Sequence, residues 1–168
     1  MTTVHIHLLL NHVPIFITFF SILFIIWGTI FKKNEIFKIG LIGFIIGAIF
    51  VIPVFFSGQE SEEIVEKIPG ISEHFLDSHE EFAEVSLWLT LVLGVLGIIG
   101  FIRDRLPHSI NKLFVTILLV FSIITAGSLT YTAYLGGNIR HTELQQTPQN
   151  QQNNANGTNQ DSDDIFSP

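Results

Sequence analysis

The chain contains no cysteine. That excludes disulfides, zinc–thiolate sites, cysteine-ligated iron–sulfur clusters and covalently attached c-type haem, each of which needs a thiol. With a single methionine at the front, imidazole and carboxylate are the protein ligands that remain. Charge is also scarce. Asp, Glu, Lys and Arg make up 14% of the 168 residues, where a soluble domain carries about a quarter. Basic residues are the scarcer sign, and a net charge of −7 is wrong for nucleic acid, which wants a basic surface. No nucleophile elbow, phosphate loop or zinc-protease helix is present, so hydrolase or transferase chemistry is not expected. The front of the chain lacks a basic leader and a small-residue cleavage motif. It is expected to stay as an anchor and not to leave as a signal peptide.

What the chain has in excess is apolar sequence. Hydrophobic residues make up 48%, sixteen of them phenylalanine. Four runs, 13–31, 36–56, 85–102 and 113–135, each approach the roughly 20 residues that cross about 30 Å of hydrocarbon. The expected fold is all-α, a four-span membrane bundle with both termini on one side. Lys32, Lys33 and Lys38 fall in the first connection, and Arg103, Arg105 and Lys112 in the third. The positive-inside rule puts these short loops in the cytoplasm. Six of the eight basic residues but only two of the fifteen acids, Glu35 and Asp104, then lie inside, giving +4 within and −11 outside. The termini are expected on the periplasmic side of a bacterial inner membrane.

The membrane domain is read as 1–143, with an acidic outer connection at 57–84, and 144–168 as a Gln/Asn-rich disordered tail. The match of Asn156-Gly157-Thr158 to a glycosylation sequon is read as chance. Within the connection, 59–68 reads as a separate short amphipathic helix ended by Pro69-Gly70. Ser72 is a candidate N-cap of a helix running unbroken through His74, His79 and Glu84 into the third span.

Six of seven histidines fall on the outer side by this topology: His5, His7, His12, His74, His79 and His141. His108, in a basic loop beside Pro107, reads as structural. An ionisable group near hydrocarbon depth is costly unless partnered. His5 and His12, two helical turns apart, are expected to point the same way. Below His79 the helix face carries Ala83, Ser86, Thr90 and Gly97. Back from His141 it carries Gly137, Tyr134, Thr130 and Gly127, unless Gly136-Gly137 breaks the helix. Both stripes have the composition of a packing seam in a membrane. Phe16, Phe19 and Leu23, on the face of His12, would wall a site.

Two chemistries fit. One is b-type haem held by His12, His79 and His141, with His5 and His74 as secondary candidates, in a four-helix bundle that carries electrons. A quinol or a basic soluble redox carrier would exchange electrons at the outer face, in the company of other respiratory subunits and the lipid bilayer. The other is a transition-metal ion, zinc, copper or iron, on His12, His79 and His141 with Glu60, Glu63, Glu80 or Glu143. A purely structural or assembly role is the third possibility.

At His12-Val13-Pro14-Ile15 the chain resembles a family of small four-span bacterial membrane proteins of unknown function. That family opens on a His-Phe-Pro-Ile-like motif, carries Thr-Gly after its second span and a histidine at its third, and closes on Gly-Gly followed by a histidine. The matching residues are His12, Pro14 and Ile15; Ser57-Gly58 in place of Thr-Gly; His79; and Gly136, Gly137 and His141. The resemblance covers about 5–143. It implies a four-span fold with a three-histidine outer site, in an accessory of a redox chain.

Overall fold

A computed structural model describes residues 3–67, 73–104 and 111–140. Every element among them is an α-helix: α1 (Thr3–Leu10), α2 (His12–Ile30), α3 (Asn34–Val65), α4 (Glu73–Asp104) and α5 (Lys112–Arg140). Four segments are long and apolar enough to cross a membrane, the first running from His7 to Ile30 across the α1–α2 junction. The protein is therefore a multi-pass membrane protein. Helices adjacent in sequence pack side by side, α5 returns against α2, and α1 leans on α3.

The surface follows membrane logic. Phe16, Phe20, Trp27, Ile49, Trp88, Val95, Ile123 and many like them are exposed, while Thr18, Ser21, Ser86, Thr90, Ser122 and Thr125 are buried. A water-soluble monomer rarely shows so large a contiguous apolar surface. Lipid tolerates it, and between helices small residues let backbones approach. Most of the buried hydroxyls stay paired by bonding back along their own helix: Ser21 donates to Ile17 O and Thr90 to Ser86 O, both at 2.7 Å. A Cβ on Gly28 would strike the backbone of Phe37, and one on Gly94 would strike Ala48. Ile25, Leu41, Phe44, Leu93 and Leu118 fill the centre.

Several expectations need revision. Residues 59–65 of the helix predicted separately at 59–68 are the last part of α3, which runs through Ser57-Gly58 without a break; residue 68 lies outside the described residues. Ser57 and Ser61 hydroxyls bond back to Val54 O and Ser57 O, so the serines are served inside the helix and release nothing. Gly136-Gly137 likewise sits within α5. Helix α4 does run unbroken from Glu73 through His79 into the span, as its pattern predicts. Pro69-Gly70, Ser72, His108, His141, Glu143 and the tail lie outside the described residues.

One interruption was not foreseen. Pro14 has no N–H for the Leu10 carbonyl one turn earlier, and a hydrogen bond of the ladder is missing between α1 and α2. The backbone stays helical through Asn11, whose N–H bonds His7 O at 2.9 Å. His7 and Asn11 therefore continue the stripe of Pro14, Thr18, Ser21 and Ile25, which is buried on α2.

Candidate functional site

Helices α3 and α4 have 32 residues each, about 48 Å at 1.5 Å per residue, well beyond a 30 Å hydrocarbon layer. Their overhang is at the same end as α1. There the helices surround a cavity of about 580 Å³.

Two half-buried imidazoles from different helices line it. His7 of α1 lies with Nδ1 3.1 Å from Val54 O and 3.3 Å from Ser57 Oγ, both on α3. His79 of α4 lies with Nδ1 2.9 Å from Thr132 O on α5. A carbonyl only accepts, so each Nδ1 carries the proton and donates it, and each Nε2 keeps its lone pair. Each ring also rests on a glycine of the helix it bonds. A Cβ at Gly58 would lie 3.1 Å from His7 Cε1, and one at Gly136 3.0 Å from His79 Cε1. A side chain at either position would move the ring.

Asn11, Gln59, Ser61, Ser86 and Thr132 supply neutral polar groups to the wall. Asn11 Oδ1, at the α1–α2 junction, is buried without a hydrogen-bond partner among the described residues. Glu62 and Glu80 line the cavity, and among the described residues no Lys or Arg does. Glu62 stands in the repulsive field of Glu80, Asp77 and Glu66. Leu8, Ile15, Val51, Phe55, Leu76 and Leu129 supply the apolar walls. Beneath His79, Ser86 Oγ is 2.7 Å from Ser128 Oγ and 2.9 Å from Thr132 Oγ1, which ties α4 to α5 just below the ring.

Of the ligands proposed from the sequence, His12, His79 and Glu80 line the cavity. His12 is itself exposed, its ring stacked on Phe16 at 6.4 Å. Phe16, Phe19 and Leu23 are exposed on the outer surface of α2 and do not wall the cavity. His74 is exposed with its ring against Phe75, and Glu60 and Glu63 are exposed away from the cavity. His5 is on α1, but its side chain is not among those described. The small-residue stripe of α4 is real, since Ser86, Thr90 and Gly97 are buried. On α5 the packed face is instead Leu118, Ser122, Thr125, Leu129 and Leu135, while Gly127, Thr130 and Tyr134 are exposed. Counting back from His141 chose the wrong phase.

His7, Asn11 and Glu62 were missed as site residues. The packed face of α2 held the signal for the first two, because the stripe of Pro14, Thr18, Ser21 and Ile25 extends back one and two turns to Asn11 and His7. Among the described residues no three His, Asp or Glu side chains come together as a ready metal site. Pro14, Ile15, Gly58, His79, Gly136 and Gly137, far apart in sequence, all line the one cavity. No family model matches the chain, and neither does any of the curated proteins or solved structures compared with it.

Proposed function

We propose that the protein is a membrane electron carrier that holds b-type haem between His7 and His79. The observation that carries this reading is the pair of carbonyl-pinned imidazoles in one cavity. Histidines that bind metal usually donate the other ring N–H to a carbonyl or carboxylate, which fixes tautomer and orientation. Val54 O and Thr132 O stand in that relation to His7 and His79. The apolar walls suit a flat hydrophobic ring. With no Lys or Arg among the described residues of the wall, the two propionates would have to reach water at the mouth.

The bound iron would supply one-electron chemistry, its potential set by axial ligands and burial. The residues of the chain do the rest. Val54 and Thr132 keep each Nδ1 protonated, Gly58 and Gly136 give the rings room, and the leucines and Phe55 exclude water. Glu62, Glu66, Asp77 and Glu80 form an acidic rim that would attract a basic soluble carrier. The positive-inside bias of Lys32, Lys33, Lys38 and Arg103 supports placing this rim, and both termini, on the periplasmic side of a bacterial inner membrane. The motif resemblance to a four-span family fits the same reading.

An optical spectrum tests it. Protein expressed with ample haem should show, when reduced, the paired visible bands of a low-spin haem. His7→Ala and His79→Ala should each abolish them, and His12→Ala should leave them. Colourless wild-type protein sinks the proposal.

A second reading is a transition-metal cation, held if Glu62, Glu80, His7, His79 or His12 of the same wall drew together on binding it, since among the described residues no three of them stand ready as a metal site. Stoichiometric zinc, copper or iron in colourless protein, lost in His79→Ala, would favour it.

A further inference from the structure

The basic end of the bundle carries charge that the fold leaves without a partner. Five cations of the described residues gather there: Lys32 and Lys33 in the α2–α3 turn, Lys38 on α3, Arg103 at the finish of α4 and Lys112 at the start of α5. Two contacts hold these elements together. Asn34 donates to Asp104 at 3.1 Å, and the Arg103 guanidinium lies 6.0 Å from the centre of the Phe114 ring. The two acids of this end, Glu35 and Asp104, are both spent on Lys38, at 3.1 and 3.3 Å. Lys32, Lys33, Arg103 and Lys112 are exposed, and none makes an ion pair among the described residues.

Lys32 also holds a place where glycine is usual. Helix α2 is capped at Phe31, and the Lys33 N–H reaches back to Gly28 O at 2.9 Å. That is the bond of a Schellman turn, in which the residue after the cap is left-handed and most often glycine. Lys32 takes that conformation with φ 52°, alone among the described non-glycine residues. A side chain there is strained where glycine would not be. Strain of this kind collects at positions whose side chain has a task besides folding.

The last turn of α2 shows lipid an apolar wall. Trp27, Ile30 and Phe31 are each more than half exposed, with the Trp27 and Phe31 rings 5.3 Å apart. Tryptophan at the end of a span sits at headgroup level. Unpaired ammonium groups thus stand at the rim of a surface that suits acyl chains. A soluble polyanion would meet the charge and leave the wall bare. A zwitterionic lipid would cover the wall and bring no net charge to the lysines. A lipid with a negative head does both. We infer that the Lys32–Lys33 corner binds an anionic phospholipid of the phosphatidylglycerol kind, its phosphate at the two ammonium groups and its chains along Trp27, Ile30 and Phe31. None of these residues lines the histidine cavity, so the inference stands or falls separately from the haem reading.

The test is tryptophan quenching by brominated lipids in phosphatidylcholine vesicles that hold the full-length protein. Trp88→Phe leaves Trp27 as the sole tryptophan. At low salt, brominated dioleoyl phosphatidylglycerol should associate at Trp27 about fivefold better than brominated dioleoyl phosphatidylcholine. Adding Lys32→Asn and Lys33→Gln removes the charge while asparagine tolerates the left-handed turn, and the preference should fall to about onefold. Lys32→Gly should lower the preference about twofold or more yet raise the melting temperature by about 2–4 °C, since charge and strain leave together. Trp27→Phe leaves Trp88, sixteen residues before Asp104 on α4, about 24 Å along the helix, where no preference is expected. Inorganic phosphate should displace no more lipid than chloride of matched ionic strength. Equal quenching by the two lipids at Trp27 would overturn the inference, as would an equal preference at Trp88. So would a full preference in Lys32→Gly or in the lysine double variant, or displacement by phosphate alone.

Discussion

Each of the two pinned histidines depends on a glycine it does not neighbour in sequence. Gly136→Ala places a methyl group against the His79 ring while adding helix propensity worth about 1 kcal/mol. Stability and site should therefore part company: the melting temperature holds or rises, while the haem bands weaken or shift. A fall in both would mean that the glycine serves packing and not the ring. The contrasting substitution is Gly28→Ala, where the methyl meets the Phe37 backbone. Overpacking of that kind costs about 1–3 kcal/mol, so thermal unfolding in detergent should show clear destabilisation with no special effect at the histidine end.

Elements explain why some of the site was legible in the sequence and some was not. The unbroken α4 could be read because nothing between Glu73 and Asp104 interrupts the helix. Its phase therefore carried His79 correctly down to Ser86 and Thr90. The front of the chain could not be read the same way. Taking its phase from His5 and His12 made His12 the inward residue, whereas the buried stripe of Pro14, Thr18, Ser21 and Ile25 runs back at i−3 and i−7 to Asn11 and His7. The α5 face failed for a related reason, because it was counted from His141 and not from the buried Leu118, Thr125 and Leu129. Replacing Pro14 restores an N–H for the Leu10 carbonyl, so helical circular dichroism of Pro14→Ala should rise slightly. His7 already lies in phase with the buried face of α2, so the His7-dependent bands should be kept. Lost bands would show that the proline itself places His7. The α4–α5 clasp yields a smaller effect. Ser86→Ala removes the shared centre of two hydroxyl contacts and should cost about 1 kcal/mol, the scale of such bonds between membrane helices. Unfolding in mixed detergents measures it.

Taken as a whole, the molecule has lipid-facing walls, a packed middle and two different ends. The four spans were legible because length and hydropathy depend only on composition. The cavity was not, because it depends on how far the helices overhang and which faces turn inward. Orientation can be settled by labelling, and the absence of cysteine gives a clean background. With the acidic end outside, Lys67→Cys should react with an impermeant maleimide in spheroplasts, and Lys33→Cys should react only after lysis. The reverse pattern would turn the acidic rim towards the cytoplasm.

The two ends are also fastened differently. At the basic end, Lys38 Nζ lies 3.1 Å from Glu35 and 3.3 Å from Asp104, and Asn34 donates to Asp104 at 3.1 Å. These contacts clip the start of α3 to the finish of α4. At the far end the same two helices part around the cavity. Between these ends α3 and α4 are in close contact, Gly94 against Ala48 and Gly97 against Leu41. Raised salt weakens partly exposed ion pairs such as those of Lys38, yet with the middle held by packing it should leave the chamber and its occupant unaltered.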